Sequence, residues 1–209
     1  MDHSLHPYHP IGVSIPNYVP NDLPLYRTLP VFAALIGVAV VSAYHLAGSG
    51  TRRRVRTVDR LSASWFALCY YVYNRTNIPG MNGLYAQLWK EYTLSDSRYL
   101  TSDIFTVCVE AITVFTWGPL SLLTLFCICT NHPSRHLFQI VVCVAHLYGV
   151  ALYYATNWAE QRFYGVSYSR PEFLYFWVYY VGFNAPWAIV PFLTAFRALH
   201  EKESQQKSE

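Results

Sequence analysis

Glu110 is the one acid inside Ile104–Thr130, an apolar run that contains no other charged residue. At about 1.5 Å of helix rise per residue the run can cross a hydrocarbon core of roughly 30 Å, with Glu110 about a third of the way in. Charge is costly there, and ionisable groups at such depth generally face a bundle interior or a wet cavity. A carboxyl kept from water favours its neutral form, which suits it to hand a proton to a substrate. Thr106, Glu110, Thr113 and Trp117 recur at helical spacing, so they share one polar and aromatic stripe. The plainer alternative is that Glu110 only bonds a neighbouring helix.

Other groups carry weaker signals. Gln139, Cys143 and His146 form a second stripe, on which a lone His is more often a bonding partner than a catalyst. Tyr180, Asn184 and Trp187 share a face of a later apolar run. His3, His6 and His9 are spaced by three, but the prolines among them favour extended backbone and a surface tail. Cys127 and Cys129 form a lone C-x-C, a weak metal pattern better read as buried small hydrophobes, so no metal site is expected.

The elements that must position these groups follow from composition. Of 209 residues, 53% are hydrophobic and only 13% charged, too little polar surface to coat a water-soluble globule. The net charge of +3, with arginines beside apolar runs, suits anionic lipid better than nucleic acid. Five cysteines in or against apolar segments do not form a disulfide framework.

The pattern predicts an all-α integral membrane bundle of five transmembrane helices: Pro30–Gly48, Leu61–Tyr73, Ile104–Thr130, Leu137 to about Thr156, and about Glu172 to Phe196. The second is truncated, since 13 residues give only about 20 Å of helix. Turn signals at Asn74–Thr76 and Ile78–Gly80 prevent its extension. Asn74 also opens a glycosylation sequon. Arg52, Arg53, Arg54, Arg56 and Arg60 place the first loop in the cytoplasm. Leu88–Tyr92 followed by Ser95–Tyr99 reads as an amphipathic loop with aromatic interface anchors, and Asn157–Pro171 as a polar loop. The domain division is an N-terminal tail (1–29) without a signal peptide, a transmembrane domain (30–200) and a disordered charged tail (201–209).

Leu88-Trp89-Lys90-Glu91-Tyr92, Asp96-Ser97-Arg98-Tyr99, Phe105 through Glu110 and Thr113, and Trp117-Gly118-Pro119-Leu120 resemble the emopamil-binding protein family, the sterol Δ8-Δ7 isomerases. His6-Pro7-Tyr8, Leu147-Tyr148-Gly149, Tyr175-Phe176-Trp177 and Asn184-Ala185 with Trp187 extend the resemblance over nearly the whole chain. It implies a multi-pass protein of the endoplasmic reticulum membrane that holds a sterol and moves a ring double bond by protonation and deprotonation, without a cofactor. It further implies Glu110, Thr113, Asn184 and Trp187 as catalytic residues, and Tyr92, Tyr99, Trp117, Tyr148 and Tyr180 as substrate-binding ones. Expected partners are the sterol and membrane lipids, with a homodimer as a candidate assembly.

The chain departs from the family in two places. Relatives carry a His and a Glu one turn apart in the second helix, described as a proton relay, whereas here Phe66-Ala67-Leu68-Cys69 runs almost directly into Tyr71-Val72-Tyr73. Val150 stands after Tyr148-Gly149 where many relatives have an acid. The expectation is therefore a family member whose activity is weak or lost, as a splice form or gene-model error would leave it. The alternative is a non-enzymatic membrane protein that binds sterols or amphiphilic drugs.

Overall fold

The computed structural model describes residues 6–31, 33–34 and 68–206, with side chains as far as residue 200. The arginine cluster and nearly all of the first predicted span lie outside the described residues, as do positions 61–67 of the second. No strand occurs among the described residues.

Among the described residues, two helices are long and apolar enough to cross a membrane. They are designated α4, Ile104–Cys129, and α5, Arg135–Tyr164, with mean hydropathies of 1.8 and 1.7 over their most apolar stretches. Only 22% and 17% of those stretches are buried, so Phe115, Leu122, Leu123, Phe126, Leu137 and Val144 face outward. A contiguous apolar surface of this kind is a liability in water and natural against lipid. The protein is a membrane-associated helical bundle.

Before α4 come helical residues 68–74 (α1), a 3₁₀ turn at Ile78–Gly80, α2 (Leu84–Tyr92) and α3 (Arg98–Thr101). The turn falls where Pro79 and Gly80 predict it. Asp103 then caps α4, its side chain accepting from the Thr106 backbone N–H at 2.9 Å and the Thr106 hydroxyl at 3.0 Å. Such caps satisfy donors that have no partner within the helix.

The fourth predicted span is longer than expected. The loop assigned to Asn157–Pro171 is helical as far as Tyr164, because Asn157 turns inward and nothing interrupts the helix until Gly165, whose φ of +67° forms a left-handed cap. The fifth is split into a π-helix, α6 (Leu174–Gly182), and α7 (Ala185–Gln206). Pro186 follows the break at the start of α7, where a missing N–H costs nothing, and Pro191 lies inside the helix. Helix α7 continues to Gln206, so residues 201–206 do not take the disordered form expected of the tail. It packs along α5, as does the second half of α4.

The N-terminal segment is not a surface tail. Tyr8 and Ile15 are buried in the core, and the Tyr8 hydroxyl donates to the Lys90 carbonyl at 3.0 Å. Lys90, itself buried, donates to the carbonyl of Val19 at 2.7 Å, and Asn21 Nδ2 donates to that of Gln87 at 3.0 Å. The histidine and proline pattern missed this, because the segment's partners lie on α2, far along the chain. The amphipathic loop is likewise corrected. Residues 93–100 are all buried, and Trp89, Tyr92 and Tyr99 pack inward on one another instead of anchoring an interface.

Glu91, on α2, carries a buried Oε1 with no partner among the described residues. Burial raises its pKa above the ordinary 4.5, against the opposing pull of Arg170. The folded state thus holds this proton more tightly than the unfolded chain. The resulting penalty is absent well below pH 4.5, grows as pH climbs through that value, and is complete above the folded pKa. Glu91→Gln should therefore be more heat-stable than the wild type at pH 7, with the gap closing towards pH 4. Melting curves across that range in detergent check this; a gap independent of pH would contradict it.

Candidate active site

Glu110 faces inward from α4 and is 9% exposed. The Tyr99 hydroxyl donates to its Oε1 at 2.7 Å, and no other hydrogen bond reaches the carboxyl among the described residues. The Thr113–Trp117 stretch that follows is a π-helix, whose wider turn interrupts α4 within one turn of the acid. Such bulges re-aim side chains and are frequent at functional sites. Thr113 is one helical turn from Glu110, but its hydroxyl donates to the Val109 carbonyl at 2.9 Å, within its own helix.

Around Tyr99 stands a cluster of aromatic rings. Tyr71 stacks on Trp89 with centroids 5.2 Å apart, and meets Tyr99 edge-on at 5.2 Å. Tyr92 approaches both Trp89 and Tyr99 at 5.8 Å. Electron-rich faces of this kind stabilise a cation, by about 2 kcal/mol or more where water is excluded.

Asn184 sits at the break between α6 and α7 and donates to the Tyr180 carbonyl at 2.8 Å. Tyr180 is buried against Tyr153 and Tyr154, and Tyr154 donates to the Tyr180 carbonyl at 3.1 Å. Tyr99 and Tyr180 share one core cluster with Tyr92 packed against it, Glu110 joins it through Tyr99, and Asn184 through the Tyr180 carbonyl.

The other predicted residues lie differently. The ring partner of Trp187 is His146 on α5, at 5.5 Å, rather than a tyrosine of the cluster. Tyr148 is 65% exposed on the outer face of α5 and does not join the cluster. Trp117 is half-buried at the end of the π-helix. Cys127 is buried and Cys129 exposed, so the pair does not converge.

Sequence reasoning missed the group that fixes Tyr99. Arg98 and Asp96 form a fully buried ion pair, with Nη2 2.7 Å from Oδ2 and Nε within 3.0 Å of Oδ1. The guanidinium also lies 5.0 Å from the Tyr153 ring and 5.3 Å from that of Tyr168, and donates to the Thr156 hydroxyl at 3.3 Å. Burial alone would lower the Arg98 pKa, but the hydrogen bonds and charge of Asp96 outweigh it and leave the value raised. Its signal in the sequence was Asp-x-Arg beside Tyr99, which looks like an exposed loop because serines and threonines surround it.

A buried carboxyl, held by one tyrosine among aromatic rings on a membrane-length helix, defines a helical membrane protein with an internal acid site. The profile of the EXPERA family, the expanded EBP superfamily, matches residues 84–198, which contain this acid and most of the rings around it. The 3-beta-hydroxysteroid-Delta(8),Delta(7)-isomerase of Rattus norvegicus is 36% identical over 213 residues, covering 97% of this chain and 90% of the relative. That of Cavia porcellus is 34% identical over 206 residues, covering 94% and 89%. A probable isomerase of the same name from Oryza sativa subsp. japonica is 31% identical over 203 residues, covering 92% and 90%. The chain belongs to the EXPERA family.

Proposed function

We propose that this chain is a sterol Δ8-Δ7 isomerase of the endoplasmic reticulum, with residues 30–200 forming a five-helix membrane domain that holds the sterol, and that its turnover is slow. The observation that carries the reading is the buried Glu110 bonded to Tyr99 within the aromatic cluster. The names of its relatives support the substrate class.

The reaction needs an acid, a stabiliser for the cation and a base. Glu110 in its neutral form delivers a proton to one alkene carbon, and the positive charge forms on the neighbouring carbon. Tyr99 orients the carboxyl and holds the negative charge left on it. The rings of Tyr92, Tyr99 and Trp89 face the cation. Asn184 bonds the Tyr180 carbonyl across the break between α6 and α7, which keeps the spacing of that side of the site. Loss of a proton from the adjacent carbon then completes the shift. Turnover is slow because the second helix lacks the His and Glu that its relatives are described as using.

That same absence favours a second reading, a sterol or amphiphile binder without catalysis. Membranes containing the full chain, from a host without endogenous isomerase, separate the two when incubated with a Δ8 sterol. Slow formation of the Δ7 isomer, lost in Glu110→Gln, is the expected result. Saturable binding of the sterol with no isomer formed would select the binder, and failure to bind the sterol would overturn both.

A further inference from the structure

Ser97 stands directly before the short helix α3, at the position where a serine ordinarily turns its hydroxyl onto the helix's own backbone N–H groups. Here it makes no such cap. The hydroxyl donates instead to the His9 carbonyl, 88 positions away in the N-terminal segment. The Ser97 backbone N–H donates to the Tyr168 carbonyl at 3.2 Å, and its carbonyl accepts from the Leu100 N–H at 2.9 Å. Ser97 is completely buried, so water cannot stand in for any of these partners. The N-terminal segment is itself a fixed post, since the Tyr8 hydroxyl is bonded to the Lys90 carbonyl and the Val19 carbonyl to the buried Lys90 ammonium at 2.7 Å. A single helical turn has too few internal bonds to hold its own direction, so α3 takes its direction from such anchors. Tyr99, whose hydroxyl bonds Glu110 at 2.7 Å, lies on that turn just beyond Ser97.

We propose that Ser97 is a positioning residue of the acid site: by giving its hydroxyl to the N-terminal segment instead of to α3, it sets the direction in which α3 presents Tyr99 to Glu110. It touches no substrate and acts through the Tyr99 hydroxyl. For its effect on turnover the inference rests on the isomerase reading. In Ser97→Ala the two backbone bonds of residue 97 persist, but the side-chain link to His9 is gone. The first turn of α3 is then free to swing, and the Tyr99 hydroxyl spends less time within reach of the carboxyl. Serine at a helix start is usually a local signal, which is why its long-range role is invisible in the sequence. Tyr8 and Tyr99 also belong to one buried core cluster, so the N-terminal segment and the tyrosine move as parts of the same packing unit.

The test uses the full chain in membranes, with a Δ8 sterol as the probe. Ser97→Ala should lower kcat for Δ7-sterol formation by about 10-fold and leave KM unchanged, the loss expected when one buried hydrogen bond no longer holds the tyrosine. On a Tyr99→Phe background the same substitution should cost nothing further, because the hydroxyl it positions is already gone. In detergent, amide hydrogen exchange should quicken across residues 97–101 and not along α5 or α7. A kcat at the wild-type value or a loss carried by KM would overturn the role. A further loss on the Tyr99→Phe background, or exchange quickened throughout the protein, would overturn it too and make Ser97 a packing residue. If the wild-type chain forms no product, the isomerase reading fails by itself and the positioning of α3 is judged by exchange: quickening confined to residues 97–101 upholds it, and no change overturns it.

Discussion

A chain whose second span is restored to full length, with a His and a Glu one helical turn apart, is expected to convert a Δ8 sterol about 10²- to 10⁴-fold faster than the present chain. The argument begins with length. Leu61–Tyr73 is 13 residues, so about 10 Å of a typical hydrocarbon core is left uncovered, equivalent to roughly seven residues of helix. On the proposed reading, what is lost with those residues is the proton-accepting pair described in relatives, whereas Glu110, the tyrosine that bonds it and the ring cluster remain in place. Adding back a positioned base should therefore recover the factor that general acid–base groups contribute. In the restored chain, Glu110→Gln should remove the entire gain, because the amide occupies nearly the same volume but has no acidic proton to deliver. Initial rates of Δ7-sterol formation in membranes measure both effects. A restored chain no faster than the original would mean that the short helix is not what limits turnover. Near-normal activity in its Glu110→Gln variant would reduce Glu110 to a structural bond.

The parts of this site that the sequence made legible are those encoded locally. The α4 span is a single uninterrupted apolar run with Asp103 at its head, and the stripe through Thr106 and Glu110 places the acid on the inward face. The parts it concealed depend on contacts between distant residues. Tyr8 and Lys90 are 82 positions apart, and nothing periodic in a proline-rich segment announces that it will pack. The π-helix after Glu110 has no compositional signature, since its residues would serve an ordinary helix equally well. Trp187 shares a helical face with Asn184 by spacing, but the break at Phe183–Asn184 disturbs that register, and its ring meets His146 on α5. Polar neighbours masked Asp96 and Arg98, because a run of serines and threonines reads as surface until the chain is folded over it.

Arg98→Ala is expected to destabilise the protein by about 3–5 kcal/mol, the usual cost of leaving one member of a buried ion pair uncompensated. Both side chains are essentially inaccessible, at 1% and 0% exposure, so water cannot replace the missing partner of Asp96. The variant also loses the cation that lies over Tyr153 and Tyr168 and the bond to Thr156, which together tie α3 to α5 and to the segment after it. Arg98→Lys should recover only part of the loss, because an ammonium cannot reproduce the two-pronged contact with the carboxylate. Replacing both residues with apolar side chains of similar volume should cost less than Arg98→Ala alone, since no charge is then stranded. Thermal unfolding in detergent, read as the shift in midpoint, orders the four chains. A double variant less stable than Arg98→Ala would show that the pair contributes net attraction beyond its cost of burial. The consequence reaches the acid site, because Tyr99 is the next residue and its hydroxyl makes the one hydrogen bond to Glu110 among the described residues. Even below its melting temperature, Arg98→Lys should therefore turn over more slowly while binding sterol almost as well, as expected of a residue that positions the tyrosine without touching the substrate.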